Sequence, residues 1–379
     1  MRTLLEAIFW LAAGLLIYSQ IGYPLLLALL ARPAPDAPQL DPEELPSATL
    51  IVAAYAEAAV IEAKVENALK LDYPRERLQV IVACDGSPDE TPELARKAGA
   101  DLVLELPHAG KMAAQNVAVE KATGELIAFS DANTMWDPQA LRRLADALAP
   151  PDVSYACGRV SFVNESGDNQ EGLYWRYEMW LRARESALAS ATAGNGAIYA
   201  VDPAAYKQIR PLTGHDLTLP FNVVKNGARA IDVAAAKASE TMVPSISGEF
   251  RRKRRMMSFT WPIVLGGGML NFRGFGAKYG WMIFSHRVLR YSAPFLHLAA
   301  LLASAALAAD SSTFLVLLAL QLLLLAAAPL AKLLPLRPLL VARYYVLTTT
   351  AVALGLFDYL RKGTEKILDE GWTPPEGTR

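Results

Sequence analysis

The sequence predicts an α/β protein: a doubly wound, mostly parallel sheet flanked by transmembrane helices. Three observations predict it. Apolar residues crowd the two ends of the 379-residue chain, while the middle has the make-up of a soluble domain. In that middle, short apolar runs alternate with helical patterns, the β-α-β-α order of a parallel sheet. The polar residues of this region fall just after the strands, where ligands bind in such sheets.

The first element is the apolar run 4–30, whose single charge is Glu6. At ~1.5 Å per residue it reaches ~40 Å, enough to cross a bilayer with tilt. Only Arg2 precedes it as a cation, and the run is too long for a signal-peptide core, so residues 1–32 read as an uncleaved membrane helix. Residues 33–46 are proline-rich and read as an extended linker.

The middle then opens on a strand at 49–54 and a helix at 60–69. A strand at 78–84, a helix at 91–98, a strand at 102–106 and a helix at 111–122 follow. A strand at 126–130 and a helix at 138–148, with Pro138 in its first turn, complete the pattern. Tyr55 and Glu57 follow the first strand, Asp85, Gly86 and Ser87 the second, Asp131 and Asn133 the fourth. Each has a plain structural alternative as a turn or helix cap. Together, at strand ends of one sheet, they point to a ligand crevice.

Three more apolar runs, 288–309, 313–334 and 339–360, have bilayer length, with Arg290, Lys332 and Arg343 placed to reach the headgroups. The joint at 310–312 carries no Lys or Arg, whereas Arg32 and a basic stretch before 288 flank the middle domain. The positive-inside rule then puts the domain on the cytoplasmic side of the inner membrane. Four spans at 1–32 and 288–361 would leave the tail, 362–379, outside.

Several classes are disfavoured. There is no glycine-rich dinucleotide fingerprint and no P-loop. A net charge of -1 offers no field for nucleic acid. Two cysteines, Cys84 and Cys157, make no disulfide framework and suit a reducing compartment.

Seven segments occur in a telling order: LIVAAYAEAAVIEAKVENALKLDYP, VIVACDGSPDET, GKMAAQN, IAFSDANTMWDP, GNGAIYAVDP, GHDLTLP and EFRRKRRMMSFTW. From residue 46 to about 257 this set resembles the inverting family 2 glycosyltransferases of GT-A fold, within the membrane-anchored exopolysaccharide and cellulose-synthase-like group. The resemblance implies a GT-A domain at 47–247 and an interfacial segment at 248–287. It implies a nucleotide-sugar donor, a UDP-sugar by family habit, and a lipid-linked or growing polysaccharide acceptor. It also implies Mg²⁺ or Mn²⁺, and leaves room for polysaccharide assembly partners.

Residue by residue, Ala54, Tyr55 and Glu57 match the loop that holds the base, with Ala56 where asparagine is usual. Asp85 matches the acid that reads the uridine. Lys111 matches a lysine beside the diphosphate, where a cation suits the charge. Asp131 and Asn133 match the outer positions of the metal-holding Asp-x-Asp motif; Asn133 keeps a hard oxygen without the charge. Asp216 matches the general base that takes the acceptor proton. His215 stands where an acid is usual, as an acceptor or donor contact, a modulator of Asp216 or a simple helix-start residue. Gly194, Asn195 and Gly196 match the small-residue loop at the acceptor mouth. Arg252 and Arg255 match the diphosphate-gripping end of a Gln-x-x-Arg-Trp segment. Met256 replaces its tryptophan, which favours a short product.

Two readings stay open. The basic stretch from 249 to 287, interleaved with aromatics, also suits an amphipathic surface on anionic lipid. Tyr174, Trp175, Tyr177 and Trp180 either line an acceptor path or pack a long helix. The rivals to a polysaccharide enzyme are a polyprenyl-phosphate sugar transferase and an inactive subunit of an assembly or export complex. Asp85, Asp131 and Asp216 together favour an enzyme.

Overall fold

Four short apolar runs become the parallel half of one sheet. β1 (Ala48–Ala54), β2 (Leu78–Asp85), β3 (Leu102–Leu106) and β4 (Leu126–Asp131) lie in the order β3-β2-β1-β4, all pairs parallel. They are apolar on both faces because both faces are covered. Leu50, Val52 and Val80 enter one core cluster, and Ile51, Ile81 and Phe129 the other. The connecting helices are α3 (Ile61–Leu69), α4 (Thr91–Lys97), α5 (Lys111–Val119) and, after β4, α6 (Ala140–Leu148). These eight elements agree with the expected ones to within a few residues at each end. Register brings the strand ends level: Ala54 pairs with Cys84 and Ala53 with Asp131. The segments beginning at Tyr55, Gly86 and Ala132 therefore leave the sheet along one edge.

The second half of the sheet is mixed. β5 (Thr134–Trp136), β6 (Val153–Val163), β7 (Ile198–Val201) and β8 (Arg229–Thr241) extend it as β4-β7-β6-β8-β5. β7 runs antiparallel to β4 and β6, β8 parallel to β6 and antiparallel to β5. α7 (Leu173–Leu188) and α8 (His215–Lys225) pack against β8. This computed structural model describes residues 1–32, 38–163, 173–208, 214–241, 246–334 and 336–369. Parts of the expected linker (33–37), sugar-transfer domain (164–172, 209–213, 242–245) and tail (370–379) lie outside the described residues.

The chain divides into two compact units. One holds the sheet, with residues 262–280 returning to it: Lys225 Nζ donates to the Gly268 carbonyl (2.6 Å), and the Tyr279 hydroxyl to the Ala191 carbonyl (3.2 Å). The other is helical. In it α1 (Arg2–Ile17) runs on towards α2 (Tyr23–Leu30), α9 (Ile246–Leu265) contributes its part up to Trp261, and α10 (Ala277–Met282) leads into α11 (Leu289–Leu307). α12 (Ser312–Leu333) and α13 (Arg337–Asp369), broken at Gly363, complete it. Among the described residues, four helices are long and apolar enough to cross a membrane by length and composition: Arg2–Leu30, Ala277–Leu307, Ser312–Leu333 and Arg337–Gly363. The second starts at Ala277, inside the stretch read as interfacial, because α10 continues into α11 without a break. Small residues let α1 approach α11: Ala12 packs with Ala300 and Ala303, and Phe9 meets Phe314 of α12 edge-on at 5.2 Å.

Candidate active site

The loops after β1 and β2 are tied together. Backbone N–H groups of Ala56, Glu57 and Ala58 donate to Ser87 Oγ (3.2 Å), Thr91 Oγ1 (2.8 Å) and Asp89 Oδ2 (3.2 Å). Ala56 sits at φ +54°, a left-handed conformation that asparagine tolerates better, so the alanine here stores some backbone strain. Glu57 is buried. Asp85 turns inward to the next loop. Its carboxylate accepts from the N–H groups of Ala109 (2.7 Å) and Gly110 (2.9 Å) and lies 3.0 Å from His108 Nδ1. Gly86 is required there: at φ +66° a Cβ would stand 2.8 Å from the His108 nitrogen. Asp85 thus holds the chain that delivers Lys111, and His108 lies against Tyr55 with ring centroids 4.7 Å apart and planes tilted by 33°. Sequence reading missed His108, whose only signal is its place just before GKMAAQN.

The second strand-end cluster gathers residues from four segments. Lys111, first in α5, forms an ion pair with Asp131 at the end of β4, and its Nζ lies 3.5 Å from the Gly196 carbonyl. A Cβ on Gly196 would stand 3.9 Å from both Lys111 Nζ and Asp216 Cβ. The Gly194 N–H donates to the Asp216 carbonyl (2.6 Å), and the Leu217 N–H to Asp216 Oδ1 (3.0 Å). The structure therefore brings Lys111, Asp131, Gly194, Gly196 and Asp216 together. Asp216 lies in the first turn of α8, where the helix dipole favours a carboxylate. No side chain fits at Gly194, because a Cβ would stand 1.9 Å from the Tyr155 hydroxyl oxygen. Asn195 caps its own loop, accepting the Ala197 N–H at 3.0 Å.

His215, expected as an acceptor contact or a helix-start residue, is buried, its Nδ1 against the Tyr199 hydroxyl and its Nε2 3.3 Å from the Tyr206 hydroxyl. Tyr206 gives its proton to Asn116 Oδ1 (2.7 Å), so it accepts from Nε2–H, and Nδ1 accepts from Tyr199. Burial, then the Lys111 charge, pushes the imidazole pKa down to about 3, so His215 is neutral. Its two tyrosine bonds tie the start of α8 to Tyr199 and Tyr206.

Two buried cations brace the cluster. Arg182 of α7 donates to Asp232 Oδ1 (2.7 Å) and to the carbonyls of Gly194 (3.1 Å) and Gly158 (2.9 Å). Lys64 of α3, wholly buried, donates to the Thr134 carbonyl (2.6 Å), and its neighbour Asn67 exchanges two 2.9 Å hydrogen bonds with the Trp136 backbone. α3 thereby grips β5, the strand that directly follows Asp131 and Asn133. Trp136 Nε1 carries the grip to the Ala197 carbonyl at 3.1 Å. Neither cation stood out in the sequence, since both read as ordinary polar positions of helices.

Burial lowers the Lys64 pKa to about 7, against an opposing pull from Asp131. Free lysine titrates near 10.4, so between these values the unfolded chain binds more protons and stability rises with pH. The penalty is full below about pH 7 and gone above about 10.4. A single such group gives a slope of roughly 1.4 kcal/mol per pH unit. Lys64→Met is expected to remove this slope, seen as wild type gaining melting temperature on the variant between pH 7 and 9. A constant difference across that range would show that the lysine is not buried uncharged at high pH.

Arg252 and Arg255 lie on α9, in the helical unit. Burial and the charge of Arg252 lower the Arg255 pKa, the setting of a cation pair suited to an anion. On α7, Trp175 donates to the Val160 carbonyl (3.1 Å) and Arg184 stacks 3.8 Å over Trp180. Both tryptophans border an open cleft of about 490 Å³ with Arg159, Arg184 and Lys237, so α7 partly packs and partly lines a cavity.

Among the described residues no three His, Cys, Asp or Glu side chains gather as a metal cage. Asp131, about one-third exposed (31%), and Asn133 supply hard oxygens on one strand end. That donor set fits a divalent ion that takes its remaining ligands from phosphate and water.

Residues 49–208 match the model of Glycosyl transferase family 2. The chain is 28% identical over 128 residues to glycosyltransferase AglE of Haloferax volcanii, covering 32% of this chain and 42% of that one. It is 28% identical over 259 residues to the β-monoglucosyldiacylglycerol synthase of Synechocystis sp., covering 63% and 48%. The chain thus spans about half the length of the curated relatives it matches. The fold is that of the mannosyltransferase PcManGT from Pyrobaculum calidifontis, solved with GDP-Man and Mn²⁺: TM-score 0.71, 24% identity, covering 95% of this chain and all (100%) of that one.

Proposed function

We propose that this chain, which carries a Glycosyl transferase family 2 domain at residues 49–208, transfers a sugar from a nucleotide-sugar to a membrane-borne acceptor, with inversion. The observation that carries this reading is the meeting of Lys111, Asp131, Gly196 and Asp216 at the strand ends. The acceptor oxygen attacks the anomeric carbon while the bond to the diphosphate breaks. The acceptor proton passes to Asp216, and the electron pair leaves with the nucleoside diphosphate. Lys111, with Arg252 and Arg255, balances the phosphate charge. A divalent ion, Mg²⁺ or Mn²⁺, held by Asp131 and Asn133, would neutralise the leaving group. Ala54, Tyr55 and Glu57 hold the base, with Tyr55 and His108 as the aromatic side of its pocket, and Asp85 orders the loop that carries His108. Gly196 leaves room for the acceptor sugar, while Gly194, with Tyr155 where a side chain would be, and Asn195 shape the loop beside it.

A lipid-borne acceptor is supported by the candidate membrane helices and by the lipid product in the name of the Synechocystis relative. Met256, half exposed where a stacking tryptophan would hold a growing chain, supports one or a few additions. The charge pattern supports an inner-membrane enzyme with its domain in the cytoplasm. The test reconstitutes the full chain in lipid vesicles with labelled UDP- and GDP-sugars and follows released nucleotide and lipid-extractable label. One donor class should give both, with one or a few sugars per lipid. Folded protein that releases no nucleotide from any donor overturns the enzyme; label only in long polymer overturns the short product.

A further inference from the structure

By length and composition Arg337–Gly363 is a membrane span, but its packing within its own unit fits a different placement. Lys253 and Arg254 are neighbours on α9, yet they reach opposite ends of α13. Lys253 Nζ bonds to the Tyr344 hydroxyl, 4.2 Å from the ring centroid, and lies 3.5 Å from Thr348 Oγ1. Arg254 forks onto Asp358 at 2.6 and 2.7 Å. At ~1.5 Å per residue, Tyr344 and Asp358 stand ~21 Å apart along the helix. Between them the backbones touch: a Cβ on Gly355 would stand 2.5 Å from Met257 Cβ, and Trp261 Nε1 donates to the Val352 carbonyl at 3.0 Å. α9 therefore lies across the middle of α13.

We infer that α13 does not cross the membrane but lies along its surface beside α9, so that both of its ends stay on one face of the bilayer. The hydrocarbon core is ~30 Å thick. Were α13 to run along the bilayer normal, α9 with its unbroken cations Arg251–Arg255 would be held at the depth of the lipid tails. Cations at that depth are rare and sit in bundle interiors or water-filled cavities. In the headgroup plane this basic cluster lies beside lipid phosphates instead, with Lys253 and Arg254 keeping their α13 partners.

Three further observations agree. α11 meets both helices in its first half: Trp261 packs against Tyr291 and Phe295, with centroids 6.2 and 6.3 Å apart, and His297 bonds to the Tyr345 hydroxyl at 2.7 Å. Both ends of α13 are basic, with Arg337 and Arg343 at its start and Arg361 and Lys362 near Gly363, so the positive-inside rule assigns them to one face. Phe357 and Leu360, 55% and 69% exposed, project away from the side that meets α9, as an apolar underside in lipid requires. The occupant of this joint surface is the headgroup layer of an anionic lipid bilayer.

The test does not depend on activity. Single cysteines are introduced in the full chain as Glu76→Cys, Ser312→Cys and Thr364→Cys; the native Cys84 and Cys157 are buried and stay silent. Sealed vesicles of known orientation are treated with a membrane-impermeant maleimide. Thr364→Cys should label from the same side as Glu76→Cys and from the side opposite Ser312→Cys. Labelling of Thr364→Cys together with Ser312→Cys overturns the inference and restores a fourth crossing.

Discussion

Asp216→Asn is expected to slow sugar transfer by roughly 10²–10⁴-fold, the usual contribution of a general base, while leaving nucleotide-sugar affinity almost unchanged. The substitution is nearly isosteric. The asparagine oxygen still accepts the Leu217 N–H, and the Gly194 bond goes to the Asp216 backbone carbonyl, so the loop and the start of α8 keep their anchors. What is lost is a group able to take the acceptor proton. His215 cannot replace it, because an imidazole pushed to about 3 is a weak proton acceptor at neutral pH and is buried between two tyrosines. His215→Gln should therefore cost far less than Asp216→Asn. Donor binding by calorimetry and single-turnover transfer separate the cases. An Asp216→Asn enzyme that binds donor poorly but transfers at the normal rate once saturated would place Asp216 on the donor instead.

The two halves of the sheet differ in how plainly the sequence announces them. β1 to β4 are continuous apolar runs because parallel central strands are buried on both faces, and turn residues separate them from amphipathic helices. β6 and β8 mix apolar, small and charged residues without a clean period, β7 is a four-residue run, and β5 is only three residues long. Their pairing is set by contacts distant in sequence, which no local period encodes. The site divides in the same way. Asp131 and Asp216 were visible because each follows a strand or opens a helix in a motif. The supporting residues were not. Lys64 and Arg182 occupy polar-looking helix positions, and only the fold turns them inward onto the Thr134 and Gly194 carbonyls. Asp85 carries a contact its motif does not announce: its carboxylate accepts the Ala109 and Gly110 N–H groups that hold the Lys111 loop.

Asp131→Ala is expected to reduce transfer by at least about a hundredfold, the scale of losing a group that stabilises transition-state charge. It should also abolish any effect of Mn²⁺ on nucleotide-sugar affinity. Two roles meet in this carboxylate. It pairs with Lys111, and it offers the one charged oxygen ligand of the Asp131–Asn133 strand end. Losing it removes the proposed metal ligand and also releases Lys111 from its ion pair. Lys111→Met separates the two: it keeps Asp131 for the ion, so Mn²⁺ dependence should survive while donor affinity falls. Asn133→Asp gives the complementary result, since a second carboxylate raises the charge of the donor set and should tighten Mn²⁺ binding in the presence of nucleoside diphosphate. Calorimetric titration of Mn²⁺ into the nucleotide-bound protein reads this without any transfer reaction. Full turnover in excess chelator, with Asp131→Ala equally active, would rule out the ion and leave Lys111 as the proposed means of balancing the leaving phosphate.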